Sequence, residues 1–435
     1  MAVIDLGELR EDPDPYVRPS RSRRRAARRP LWTALAALLV LTLLAADQTG
    51  KGRIAAVVPA ALGARVFLAG DLLIVEAPAA GTTDGTVEVV AYPLPERASL
   101  VVQRPEPRWR TRLPAIGDLA RIQAGDDLLL LTSRGERPLG PESVMLDTHT
   151  GRVGWRQPGV AQLDAAGRLL LLDFSVAAGK VRAVDVVSGR TLWSIPNQGY
   201  GPQYHLRDGV LEGLLLLATD GTVEVRDPAS GALTHRADLG YDVSSGEQRV
   251  EVVDELLLKI EGLTSTVTAY DLAGLRRRWQ ASLPMASHVE SCGRLLCAVG
   301  VNGGLRALDP TTGVVRWTMP EPATLIAARG DRLLVLPNRR AVTRYAVLDA
   351  ATGRPLVELS ANELLSSYDA DGPVIGIRRR PGGRQIVVAL DLAAARVRTL
   401  DVITGAAGGC RVGAGPTLVC QRADGASFGV WRWSE

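Results

Sequence analysis

The chain has 435 residues, of which 46% are apolar, 23% charged and 4% aromatic, and its formal net charge is +4. That apolar share supports a large core and excludes an intrinsically disordered chain. Residues 1–30 hold eight arginines against five acids, so the rest is close to neutral and lacks the basic face that a nucleic-acid partner requires. Lysine occurs only at Lys51, Lys180 and Lys259, an arginine bias that reads as a GC-rich, actinobacterial-looking genome rather than as a binding function.

Residues 1–30 form a polar tail, expected to be flexible and cytoplasmic, that ends in RSRRRAARR (Arg21 to Arg29). LWTALAALLVLTLLAA follows without a charge from Leu31 to Ala46. As a helix it spans about 24 Å, a little short of a ~30 Å hydrocarbon core, and Trp32 and the arginines can reach the interface. Residues 31–47 are therefore expected to form a signal anchor, a transmembrane helix with its arginine-rich side in the cytoplasm. A cleaved signal peptide is the competing reading, although Leu44-Ala45-Ala46 only half fits the cleavage rule. Either way, the remainder lies outside the cytoplasm. Residues 48–60 are expected to be a linker or, through Ile54 to Val58, a ring-closing strand.

From residue 61 onward the chain repeats itself. RALDPTTGVVRW (Arg306 to Trp317) echoes VMLDTHTGRVGW (Val144 to Trp155) and RAVDVVSGRTLW (Arg182 to Trp193). Looser copies are EVRDPASGALTH (Glu224 to His235), TAYDLAGLRRRW (Thr268 to Trp279) and AVLDAATGRPLV (Ala346 to Val357). The aspartates of the repeat are Asp147, Asp185, Asp227, Asp271, Asp309, Asp349 and Asp391, a period near 40 residues. Several short strands per such period predict an all-β propeller. Each unit reads as a Leu/Val-rich strand after a Gly/Asp turn, as in GRLLLLD (Gly167 to Asp173), then a half-wet strand, then a D-x-x-T/S-G turn. Aspartate there can bond its own backbone, and glycine can adopt the left-handed conformation. A third strand then carries Trp155, Trp193, Trp279 or Trp317, with Trp109 in the same place in a degenerate first unit. These tryptophans and aspartates are expected to be structural, because a ligand site seldom recurs at every blade.

The A-x-D-x-x-T-G-x-x-x-W pattern resembles the repeat of pyrroloquinoline-quinone-type propellers. That group includes the quinoprotein dehydrogenases and the propeller lipoprotein of the outer-membrane assembly machine. The resemblance covers residues 61–435 and implies that the tryptophans dock between blades. Nine strand pairs can be counted, starting near 66, 122, 163, 206, 250, 289, 325, 367 and 408, whereas the family favours eight blades. Eight is the expectation, with nine left open.

Cys297 and Cys420 take equivalent places at the end of a Leu-rich strand, with Cys292 and Cys410 just upstream. This predicts two local disulfides, Cys292–Cys297 and Cys410–Cys420, in keeping with an oxidising compartment. Four buried free thiols are the alternative. No catalytic residue, metal site or cofactor is assigned. His149, His205, His235 and His288 fall at different repeat positions, and no H-E-x-x-H, C-x-x-C or G-x-S-x-G occurs. The adjacent cysteines of the quinone enzymes are missing, and Asp126-Asp127 and Asp369-x-Asp371 read as turns. Arg276 to Arg278, Arg339-Arg340 and Arg378 to Arg380 read as solvated turns, or as a patch for an anionic partner if they share a rim. The expected function is a membrane-anchored scaffold that binds an envelope protein, peptide or cell-wall ligand. Alternatives are a quinoprotein-type oxidoreductase and a single-pass sensor.

Overall fold

In a computed structural model of the chain, nearly every described residue outside the turns lies in a short antiparallel strand. The described residues are 54–433 apart from 96–100, 115, 126, 136–139, 174–178, 198–200, 241–247, 262–265, 301–303, 338–343, 360–362, 366–373, 382 and 414. The tail, the predicted anchor, Arg339-Arg340 and Asp369-x-Asp371 lie outside them. Among the described residues no helix is long and apolar enough to cross a membrane.

The strands form nine four-stranded sheets, each a blade. Blade 3 is typical, with Val160–Leu163, Leu169–Asp173, Gly179–Val184 and Thr191–Asn197 in order. The Leu-rich strand is the second of its blade and not the first. Leu169–Asp173 is buried throughout because blades cover both of its faces. The first strand of each blade has a weaker apolar signal. It lies toward the centre, where first strands of neighbouring blades touch one another, including Arg65–Ala69 of blade 1 and Ala406–Val412 of blade 9. That last contact closes the ring.

The expectation of eight blades is corrected to nine. Eight of the nine counted starting points fall inside first strands, and the ninth, 367, falls two residues beyond Glu363–Leu365. All nine pairs become blades because the N-terminal strand adds no blade of its own. Ile54–Pro59 serves as the fourth strand of blade 9, with Ile54 opposite Trp431 and Pro59 opposite Ser427. In such a meander, the turns between strands one and two and between three and four emerge on one face. The loops between two and three, and those between blades, emerge on the other.

The core consists of seams between blades. One seam packs Ile74, Val89 and Ala91 of blade 1 against Leu129, Leu131 and Val144 of blade 2. Burying each such side chain contributes about 1.5–3 kcal/mol. The tryptophans lock these seams from the outside. Indole Nε1 of Trp109, Trp155, Trp193, Trp279 and Trp317 donates to the carbonyls of Thr148, Val186, Ala229, Pro310 and Ala350 in the next blade, at 2.8, 2.9, 2.9, 2.8 and 2.8 Å. Each acceptor belongs to a D-x-x-T/S-G turn, and the turn glycine lies against the indole ring.

The aspartates hold those turns. Asp147 Oδ1 accepts from Thr150 Oγ1 at 2.7 Å, Asp185 from Ser188 Oγ at 2.6 Å, Asp227 from Ser230 Oγ at 2.6 Å and Asp349 from Thr352 Oγ1 at 2.8 Å. These hydroxyl bonds hold all four carboxyls below the ordinary aspartate range. Asp309 accepts from the amides of Thr311 and Thr312 at 2.9 and 3.1 Å, and Asp391 from the amide of Ala394 at 2.9 Å. Asp271 differs. Gly274 stands where five of the other turns have Thr or Ser and the Asp391 turn has Ala394, and both Asp271 carboxyl oxygens are buried without a hydrogen bond. Arg276 and Arg278 lie 3.6 Å away instead.

Both disulfides staple the first two strands of one blade. Cys292 and Cys297 join Ala286–Cys292 to Leu295–Gly300 in blade 6, with Cα atoms 5.7 Å apart. Cys410 and Cys420 do the same in blade 9 at 4.0 Å.

Candidate functional site

The first strands turn one edge to the axis, so their side chains set the chemistry of the central channel. Charged and polar groups bridge neighbouring blades along this wall. Arg65 donates to both carboxyl oxygens of Glu76, at 2.8 and 2.7 Å, and Glu76 Oε1 also accepts from the amide of Leu119 in blade 2 at 3.1 Å. Glu76 is 3% exposed, so this paired arrangement satisfies a carboxylate that could not stay buried alone. Arg121 of blade 2 donates to Gln162 of blade 3 at 3.1 Å.

Asp164 of blade 3 accepts from Arg168 at 2.8 Å and from the amide of Leu211 in blade 4 at 3.0 Å. Burial raises its pKa, but those bonds and the Arg168 charge outweigh burial and lower it. Arg207 of blade 4 pairs with Glu255 of blade 5, and Glu251 of blade 5 accepts from the amide of Val289 in blade 6 at 2.9 Å. Burial pushes the Tyr204 hydroxyl up to about 12.

The wall carries charges of both signs. A cavity of about 580 Å³ opens against blades 9, 1 and 2, lined by Phe67, Ala120, Arg121, Gln123 and Arg411 among others. A second cavity, of about 230 Å³, shares Phe67, Ala120 and Arg411 with it and adds Arg65 and Arg134. The guanidinium of Arg65 lies 6.0 Å from the Phe67 ring centroid. Across the ring, on blades 5 and 6, stand Glu251, which pairs with Arg249 at 3.6 Å, and Glu290. Burial raises the Glu290 pKa, with His288 opposing the shift and Glu251 adding to it. The arginines around Phe67 suit carboxylates, since guanidinium groups donate in a planar fork.

No metal donor set is assembled. Among the described residues no group of three or more His, Cys, Asp or Glu converges. His288 lies 3.5 Å from Glu290 and His205 3.4 Å from Glu255, each beside a single carboxylate. Arg276 to Arg278 lie at the turn between the third and fourth strands, whereas Arg378 and Arg379 end a second strand, so these two clusters occupy opposite faces. The axial arginine arc was missed in the sequence. Its members come from blades 9, 1 and 2, and nothing in one repeat marks them as neighbours.

The fold and wall define a closed nine-bladed propeller, five of whose seams are locked by tryptophan-on-glycine docks. The chain belongs to the family described as outer membrane protein assembly factor BamB, whose model matches residues 105–255 and 263–408. Among solved structures it is similar to BamB from Moraxella catarrhalis, at 15% identity and a TM-score of 0.43, over 88% of this chain and 98% of that one. It is also similar to the computationally designed Ika8 protein, at 13% identity and a TM-score of 0.45, over 72% and 96% of the two chains. The C-terminal WD40 domain of Sif2 is similar at 9% identity and a TM-score of 0.40, over 88% and 97%. No curated protein matches the sequence.

Proposed function

We propose that this protein is a membrane-anchored scaffold that holds its propeller outside the cytoplasm and binds an envelope protein through an extended, acidic segment in the axial channel. The observation that carries this reading is the group of Arg121, Arg134 and Arg411 around Phe67, beside an Arg65 already paired with Glu76. A preformed concave site of this kind takes a ligand with little ordering cost. Membership of a family described by an assembly factor supports a role in bringing proteins together. The uncharged run from Leu31 to Ala46 behind six clustered arginines supports the anchor, and two disulfides support an oxidising compartment.

The test places a photo-crosslinking residue at Ala120 of the full-length chain in its native envelope. One discrete protein adduct is expected, identified by mass spectrometry and reduced at least about tenfold by Arg121→Glu with Arg411→Glu. An adduct pattern unchanged by those charge reversals would exclude the arc as the binding site. Complete release of the chain by alkaline extraction would exclude the anchor.

A further inference from the structure

One face of the propeller carries a feature that the channel does not use. Among the described residues, fourteen large apolar side chains are exposed, and nine of them lie in the connections between third and fourth strands or in the first two residues of a fourth strand. Val187 is 73% exposed, Val314 55%, Val153 48% and Leu356 46%. At this same rim an arginine follows the repeat aspartate by five residues in five blades. These are Arg152, Arg190, Arg276, Arg354 and Arg396, all exposed, although Arg276 and Arg396 lie 3.6 and 3.8 Å from Asp271 and Asp391. The neighbouring aspartates Asp147, Asp185 and Asp349 are engaged with hydroxyls of their own turns.

The chain also enters the propeller on this face. Ile54 pairs with Trp431 at the C-terminal end of a third strand, so the fourth strand that it opens starts among these turns. Gln103 runs parallel to that strand, opposite Ala56, which brings Val101 and Val102, 73% and 50% exposed, to the same rim. Only residues 47–53 separate Ile54 from the apolar run that ends at Ala46. Fully extended, those residues reach about 25 Å.

We propose that this rim rests on an anionic lipid surface, its arginines against headgroup phosphates and its valines and leucines in the interfacial layer. The inference deepens the membrane-anchor reading and depends on it. Phosphate pairs with guanidinium, and aliphatic side chains gain by entering the headgroup boundary. A soluble polyanion would meet the arginines but leave the exposed aliphatics in water. The segment that leads back to the apolar run joins the propeller at this rim, so on the anchor reading this is the side turned to the bilayer.

The test uses the full-length chain reconstituted in vesicles of phosphatidylcholine with or without phosphatidylglycerol. A polarity-sensitive dye is attached through Val187→Cys or Val314→Cys, with Leu62→Cys, 91% exposed on the opposite face, as the control. With phosphatidylglycerol present, both rim dyes should shift to the blue and be quenched by lipid-borne quenchers, whereas the control dye should not. Combining Arg152→Glu, Arg190→Glu and Arg354→Glu should reduce the quenched fraction at least about tenfold while the chain stays in the vesicles. Vesicles that retain the chain but leave the rim dyes unquenched would overturn this inference alone. Release of the chain by alkaline extraction would overturn the anchor and this inference with it. A blue shift that rises with protein concentration in detergent would assign the rim to a second copy of the chain and also overturn the inference.

Discussion

Where a turn glycine meets an indole, one hydrogen atom decides whether two blades can dock. Gly313 has φ +71°, and a Cβ there would lie 2.5 Å from a ring carbon of Trp279. Gly330 has φ +51° but open space around it. Gly313→Ala should therefore cost about 2–4 kcal/mol, combining left-handed strain with the clash. Gly330→Ala should cost only about 1–2 kcal/mol. Chemical denaturation of the two variants measures the difference, and equal losses would show that the indole contact contributes nothing. Two seams solve the same problem with other side chains. At the fourth, His235 occupies the tryptophan place, and Leu275, at φ +52°, replaces the glycine and packs with Leu215, Val225 and Leu239. At the seventh, Val357 faces a turn where Ala395 stands at the glycine place with φ +50°. The tryptophans and aspartates were legible in the sequence because one contact recurs from blade to blade. The exchange at Asp271 of a turn hydroxyl for two arginines was not, since it depends on what Gly274 lacks.

Strands differed in how plainly the sequence announced them, and burial explains why. Second strands such as Leu169–Asp173 lie between two blades and read as unbroken apolar runs. First strands such as Leu119–Ala124 keep only their first residue fully buried, so the unit as described opened on the Leu-rich second strand although its counted starting points fall in first strands. The disulfides reinforce these less apolar strands by tying each to its apolar neighbour. Cys292→Ser with Cys297→Ser should lower stability by about 2–3 kcal/mol in the chain-entropy model. Equilibrium denaturation of the variant against the oxidised parent checks this, and an unchanged midpoint would show that the strand ladder alone holds the hairpin.

For the whole molecule, the number of blades depends on how the ends meet. All nine starting points could be counted in the sequence, but the eight-bladed form of the resembling family outweighed the count. The N-terminal strand resolves the discrepancy by completing blade 9 without founding a tenth. Val58 is 1% exposed in that strand and packs with Val419, Phe428 and Val430. Val58→Asp would bury a carboxylate without a partner and should cost at least about 3 kcal/mol. Val101→Asp, on the exposed rim, should change stability by less than about 0.5 kcal/mol. Limited proteolysis should then cut the Val58→Asp chain within blade 9 first, and equal resistance of the two variants would contradict this account of closure.

That closure has a consequence for biogenesis. Pro59 leaves the ribosome long before its partner Ser427 exists, and at about 5–20 residues per second the wait lasts tens of seconds. Throughout that interval the newborn protein carries an orphan β-edge, open to mispairing with any passing strand. Its safest custodian is a chaperone that releases the edge only when translation ends.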